Sequence, residues 1–147
     1  MPGRYNYKPF PLAQPDPITK QSVVWRPSLP VVIFANHKKT APIESLLDTG
    51  ADSTVFHAQL ARSLGIDVTK GVRFDLGGIA AGIKMPGYIH RVRLLVAGEL
   101  IETSVVFAEK FATAGLLGQV GFFEHFVATF DWTPHPPCFE IHRIPRN

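Results

Sequence analysis

Asp48-Thr49-Gly50 is the stretch of this chain whose residue types and order suggest chemistry. Leu46 and Leu47 precede it and would bury a strand, and an acid emerges where that strand ends. A hydroxyl residue follows that can hydrogen-bond main chain, then a glycine that permits a sharp turn and close approach of another backbone. A carboxyl group carried by a rigid strand into apolar surroundings is placed for general acid–base work, because burial and neighbours then set its protonation. Read alone, the tripeptide also fits a turn acid capping the main-chain N–H groups of residues 49 to 51. It arises by chance in roughly a few per cent of chains this long. Its neighbours decide its value.

The elements that must position Asp48 are short. Leu29 to Ala35 is apolar and β-branched, Asn36-His37-Lys38-Lys39 is a polar turn, and Ala41 to Leu47 leads into the acid, which predicts a hairpin aimed at the motif. Phe56, Leu60 and Leu64 have helical spacing, and Gly65 stands where a helix would stop. From Gly71 strands return: Phe74 and Leu76 alternate with Asp75, and Gly77, Gly78 and Gly82 bracket a tip that also fits an ordinary hairpin turn. Ile83 to Val96 runs back, Gly98-Glu99 turns, and Leu100 to Phe107 follows with Glu102 and Ser104 outward. Beyond Leu116-Leu117-Gly118 the pattern predicts a short helix over Val120 to Phe126, with Phe122, Phe123 and Phe126 in the core. Strands are then expected at Val127 to Trp132 and Phe139 to Ile144. Many short strands with one or two short helices predict a mostly β fold, a barrel or closed sandwich.

Four segments, in order along residues 22 to 144, resemble the retropepsins, the retroviral-type aspartic proteases. Trp25-Arg26-Pro27 is similar to the start of the retroviral enzymes, and Leu46 to Val55 to their active-site loop. Gly77-Gly78-Ile79-Ala80-Ala81-Gly82 looks like their flap, and Leu116-Leu117-Gly118 like the signature before the C-terminal helix. The insert at Phe56 to Gly65 and the Phe130-Asp131-Trp132 ending look more like cellular and bacterial members.

The resemblance implies a closed, β-barrel-like acid-protease fold and an aspartic endopeptidase that needs no cofactor and no metal. Each chain of such enzymes supplies one acid, so the partner is a second copy and the substrate an extended peptide or protein. Asp48 is then the catalytic carboxylate, with Thr49 reaching across the two-fold axis and Gly50 admitting the substrate backbone. Ala51, Asp52 and the flap residues Gly77, Gly78, Ile79 and Ala80 would line the substrate, with the flap closing over it. Asp52 would also face Arg26 of the other copy, and Asp52 and Asp75 both read as surface acids with structural roles. Ala at position 51, where pepsin-type lobes usually carry Ser, implies activity at mildly acidic pH. The chain departs from the retroviral pattern at Gln119, where an Arg is usual. The other reading is a retropepsin-fold binding or dimerisation module without catalysis.

Composition bounds these readings. The chain has 147 residues, 46% hydrophobic and 18% charged, enough for one packed domain. The formal charge of +3 is dispersed, with Lys38-Lys39 as the adjacent basic pair, so no stripe for nucleic acid is expected. Cys138 is the single cysteine, which forbids an intramolecular disulfide and suits a strand start. The six histidines lack metal-ligand spacing. No signal peptide and no membrane-spanning run is apparent, so a cytoplasmic protein is expected. Seven of the thirteen prolines fall between Pro2 and Pro30, which excludes a helix there. Residues 1–21 are expected to be a proline-rich arm, disordered or removable, ahead of a retropepsin-like domain over 22–147, with Ser22 to Trp25 as a candidate edge strand.

Overall fold

A computed structural model describes residues 3–77, 84–111 and 114–145. Contacts divide the chain into a barrel unit, Leu29–His125, and a terminal unit that joins Met1–Ser28 to Phe126–Asn147. The terminal unit opens with β1 (Arg4–Asn6), β2 (Lys8–Pro11) and β3 (Val23–Arg26). Next come β4 (Ser28–Ala35), β5 (Lys38–Lys39), β6 (Ile43–Leu47), β7 (Val55–His57) and the helix α1 (Ala58–Ser63). They are followed by β8 (Val72–Arg73), β9 (Leu76–Gly77), β10 (Lys84–Met85), β11 (Gly87–Val96), β12 (Glu99–Ala108) and β13 (Gly115–Leu117). β14 (Phe126–Asp131) and β15 (Cys138–Arg143) complete the terminal unit.

In the barrel unit the strand order is β5-β4-β6-β13-β7-β12-β11-β8, and a further pairing of β4 with β11 closes six of these strands on themselves. The mostly β, closed-barrel expectation is met. Alternation supplies the core, with Leu29, Val31 and Ile33 of β4 at most 1% exposed while Val32 and Phe34 are only half-buried. Ile101 and Val105 of β12 are buried in the same way, as are Leu94 and Val96 of β11, with Leu94 opposite Ile101. The β11–β12 hairpin turns at Ala97 and Gly98, both at positive φ, the two-residue geometry that matches strand twist. Asn36 and His37 turn β4 into β5 in the same way. The polar turn is therefore two residues, and Lys38-Lys39 is already strand.

Two helix boundaries move. Phe56 and His57 belong to β7, where Phe56 lies opposite Phe107 and is fully buried, so α1 begins only at Ala58. The His57 ring nitrogen Nδ1 caps it by accepting from the Gln59 N–H at 3.0 Å. Gly65 stops it as expected, at φ +73° with its N–H on the Arg62 carbonyl. The helix expected over Val120 to Phe126 shrinks to a 3₁₀ turn at Phe123–His125. Gly121 at φ +99° breaks the right-handed run, and its N–H is taken by the Glu124 carboxylate at 2.8 Å. Phe122 and Phe126 are buried as expected, and Phe123 is half-buried.

The terminal unit holds a three-stranded sheet, β1-β15-β14, and the β2–β3 pair. The proline-rich start is extended and paired. Pro9 and Pro11 face Trp25 and Val23, while the Leu12 N–H reaches the Ser22 carbonyl at 2.9 Å. Even-numbered residues thus carry that hydrogen bonding, and the prolines fall where no donor is needed. Cys138 is buried at the start of β15.

Candidate active site

β6 buries Ile43, Ser45 and Leu47, and the half-buried Asp48 follows at its end. The chain then loops through residues 49–54 and re-enters the barrel as β7. β6 and β7 are not neighbours, because β13 lies between them, parallel to β6 and antiparallel to β7. Two glycines make room for this insertion. A Cβ on Gly115 would collide with the Ser45 hydroxyl and the Phe56 ring. One on Gly118 would strike the Ser53 main chain and approach the Ala51 carbonyl to 2.8 Å.

The loop is laced to the segment after β13. Asp48 N–H donates to the Leu117 carbonyl at 2.9 Å, Gln119 N–H to that of Ala51 at 2.9 Å, and Val120 N–H to that of Asp52 at 2.9 Å. Thr54 N–H donates back to Val120 at 2.9 Å. The fully buried Thr54 hydroxyl accepts the Gly118 N–H at 3.1 Å. Within the loop, Gly50 N–H donates to Asp48 Oδ1 at 2.9 Å, and Ala51 N–H to the Asp48 carbonyl at 3.1 Å. The side-chain amide of Gln119 donates to the Thr49 carbonyl. The carboxylate thus sits at a strand end, on a scaffold of main-chain hydrogen bonds, with one oxygen held by a fixed donor.

The structure brings Asp48, Thr49, Gly50, Ala51 and Asp52 into this loop, with Thr49, Gly50 and Asp52 exposed and Ala51 half-buried. Gly77 ends β9, opposite Lys84 of β10, while Gly78, Ile79 and Ala80 lie outside the described residues. The arms of this hairpin are anchored: Leu76 and Met85 pack on Val55, Val106 and Ala108. Phe74 N–H meets the Gly87 carbonyl at 2.8 Å. Asp75 pairs with Arg73 at 2.7 Å, raising the guanidinium pKa further above its ordinary value, and Arg73 also lies over the Tyr88 ring. Arg26 lies over the Phe10 ring, 5.3 Å from its centre. Sequence reasoning noted Gln119 only as a missing arginine. Its contact with Thr49 spans 70 residues and carries no local signal. Among the described residues no cluster of three metal-ligating side chains forms, and no helix is long and apolar enough to cross a membrane.

The sequence profile of the family described as "gag-polyprotein putative aspartyl protease" matches residues 36–123, more than half of the chain. The chain belongs to that family. The match takes in the Asp48 loop, both arms of the β9–β10 hairpin and β13 of this retropepsin-like chain. Among solved structures, a retropepsin-like aspartic protease from Rickettsia conorii is similar with a TM-score of 0.53 and 19% identity, over 78% of this chain and 89% of that one. EIAV protease complexed with the inhibitor HBY-793 is 28% identical over 63% of this chain and 81% of its own, at a TM-score of 0.44. The retroviral protease-like domain of Ddi1 from Leishmania major is 20% identical over 62% and 71%, at 0.41. Among curated proteins nothing matches.

Proposed function

We propose that this retropepsin-like chain is an aspartic endopeptidase that works as a homodimer, with Asp48 of each copy forming the catalytic pair. The Asp48 loop carries the reading: a carboxylate at the end of a buried strand, with Oδ1 held by the Gly50 N–H and main chain laced to residues 117–120. Water activation at a peptide carbonyl needs a base for the water proton and an acid for the carbonyl oxygen. Asp48 is the one carboxylate that each chain places at the end of β6, and the Asp48 of a second copy supplies the other. Two adjacent carboxylates sharing a proton fill both roles, and their titration belongs to the pair.

Thr49 would meet its counterpart across the axis, and the exposed Gly50 would let the peptide backbone pass close. Ala51, Asp52 and the hairpin residues Gly77, Gly78, Ile79 and Ala80 would hold the peptide as an added strand. With Ala at 51, no serine hydroxyl favours the ionised pair. The expected optimum is mildly acidic, and an optimum well below the free aspartate value of about 3.9 would refute that part.

The test is Asp48→Asn assayed on a quenched fluorogenic peptide library between mildly acidic and neutral pH, with sedimentation to follow the dimer. Cleavage should fall by on the order of 10³-fold or more while the dimer persists. Undiminished cleavage by the variant sinks the assignment. A wild-type dimer that cuts nothing in the library points to a binding or dimerisation module.

A further inference from the structure

The proposal concerns Gln119 and rests on Asp48 being the catalytic acid. We propose that Gln119 is a positioning residue that aims the Gly50 N–H at the Asp48 carboxylate through the Thr49–Gly50 peptide plane. The Thr49 carbonyl and the Gly50 N–H are two ends of one planar, rigid unit, pointing in opposite directions. On one side the N–H donates to Asp48 Oδ1 at 2.9 Å. On the other, the carbonyl accepts from Gln119 Nε2. Fixing the carbonyl fixes the donor.

The surrounding main chain explains why a side chain does this work. At the neighbouring levels of the loop, main-chain donors serve: Gln119 N–H takes the Ala51 carbonyl and Val120 N–H that of Asp52. The remaining nearby donor, Gly118 N–H, is turned to the Thr54 hydroxyl. The Thr49 carbonyl is therefore met by the primary amide of Gln119, whose Cα is already pinned by its own N–H on Ala51. Restraint matters at this peptide because glycine accepts either hand of φ, so Gly50 offers little resistance to rotation of the plane. A donor on the carbonyl also polarises the peptide and strengthens the N–H at its other end. The chemistry required is a neutral or cationic N–H donor of suitable reach. A carboxylate in its place sets acceptor against acceptor.

The test reads the hydrogen bond directly as well as through catalysis. In ¹⁵N-labelled protein the Gly50 amide proton should move upfield and exchange about tenfold faster in Gln119→Leu and in the isosteric Gln119→Glu, while the Asp48 amide stays protected. On a fluorogenic peptide cut by the wild type, Gln119→Leu should lower kcat roughly tenfold or more with KM within about twofold, the pattern of an interaction made in the transition state. The Gln119→Glu deficit should narrow as pH falls through the ordinary glutamate range near 4.3, where a protonated carboxyl regains a donor. Gln119→Arg should recover most of kcat. An unchanged Gly50 amide in folded Gln119→Leu overturns the proposal whether or not peptide is cut, as does a kcat deficit in Gln119→Glu that does not vary with pH. A responding Gly50 amide in a wild-type chain that cuts no peptide overturns instead the protease reading.

Discussion

The acid loop of the barrel unit and the sheet of the terminal unit are held by different means. Around Asp48 the contacts are main-chain hydrogen bonds, one buried hydroxyl and a glycine with no room for a methyl group. In the terminal unit a cluster of rings packs on the hydrogen-bonded strands. Phe139 is fully buried, stacked on Tyr5 at 5.5 Å and flanked by Tyr7 at 5.9 Å and Phe130 at 6.1 Å, and Tyr7 meets Trp132 edge-on at 5.5 Å. Ring packing is broad and weakly directional, whereas hydrogen bonds between main chains fix distance and angle together. A group that must meet a reacting atom needs the second kind of support. Bulk apolar burial suffices where only cohesion is required.

Substitutions sharpen the contrast, beginning with the largest loss of stability. Phe139→Ala should destabilise the protein by about 4 kcal/mol, read as a lower midpoint in urea, because it empties the centre of the ring cluster. A loss below about 1 kcal/mol would mean that the rings are not the glue. Gly118→Ala should lose about 3 kcal/mol, since the added methyl must push apart Ser53 and Ala51 main chain that cannot yield alone. The Asp48 and Gly50 amide resonances should shift with it. Thr54→Val keeps the shape but strands the buried Gly118 N–H, and a loss of about 2 kcal/mol by the same measurement is expected.

The smallest effect is electrostatic. Asp131 accepts from the hydroxyl and the N–H of Thr133, in that order of weight, which lowers its pKa below the usual carboxylate value. A depressed folded value contributes stability above the unfolded value, near 3.9, that is lost as pH falls through the folded one. Asp131→Asn should therefore slightly lower the neutral plateau of a stability–pH curve and flatten its acid limb. An acid limb that keeps its slope in the variant would show that the Thr133 contacts carry no weight.

What was legible in the sequence follows the same division. Leu46 to Thr54 could be read because strand, acid, hydroxyl and turn are consecutive. β4 could be read because Leu29 to Ala35 is a run of apolar and β-branched residues. The start of α1 could not. Phe56, Leu60 and Leu64 do share helical spacing, but Phe56 is buried by pairing with Phe107, far outside any local window. Gly121 was visible as a residue, yet its left-handed φ depends on Glu124 reaching back for its N–H. Pairing of β1 with β15 joins opposite ends of the chain, and no pattern within Arg4–Asn6 announces it. The hold of Gln119 on Thr49 has the same character.

β13 enters between two strands that the chain has already made, and this sets a schedule. The Gly118 bond to Thr54 and the Gln119 bond to Thr49 join residues 64 and 70 positions apart. During synthesis, Asp48 leaves the ribosome long before the segment that shapes its loop. A nascent chain therefore carries the acid without the geometry, and the loop matures only after most of the barrel has been translated. Closing so long a loop is slow compared with forming the β11–β12 hairpin, so maturation of the acid loop should be among the last events of folding.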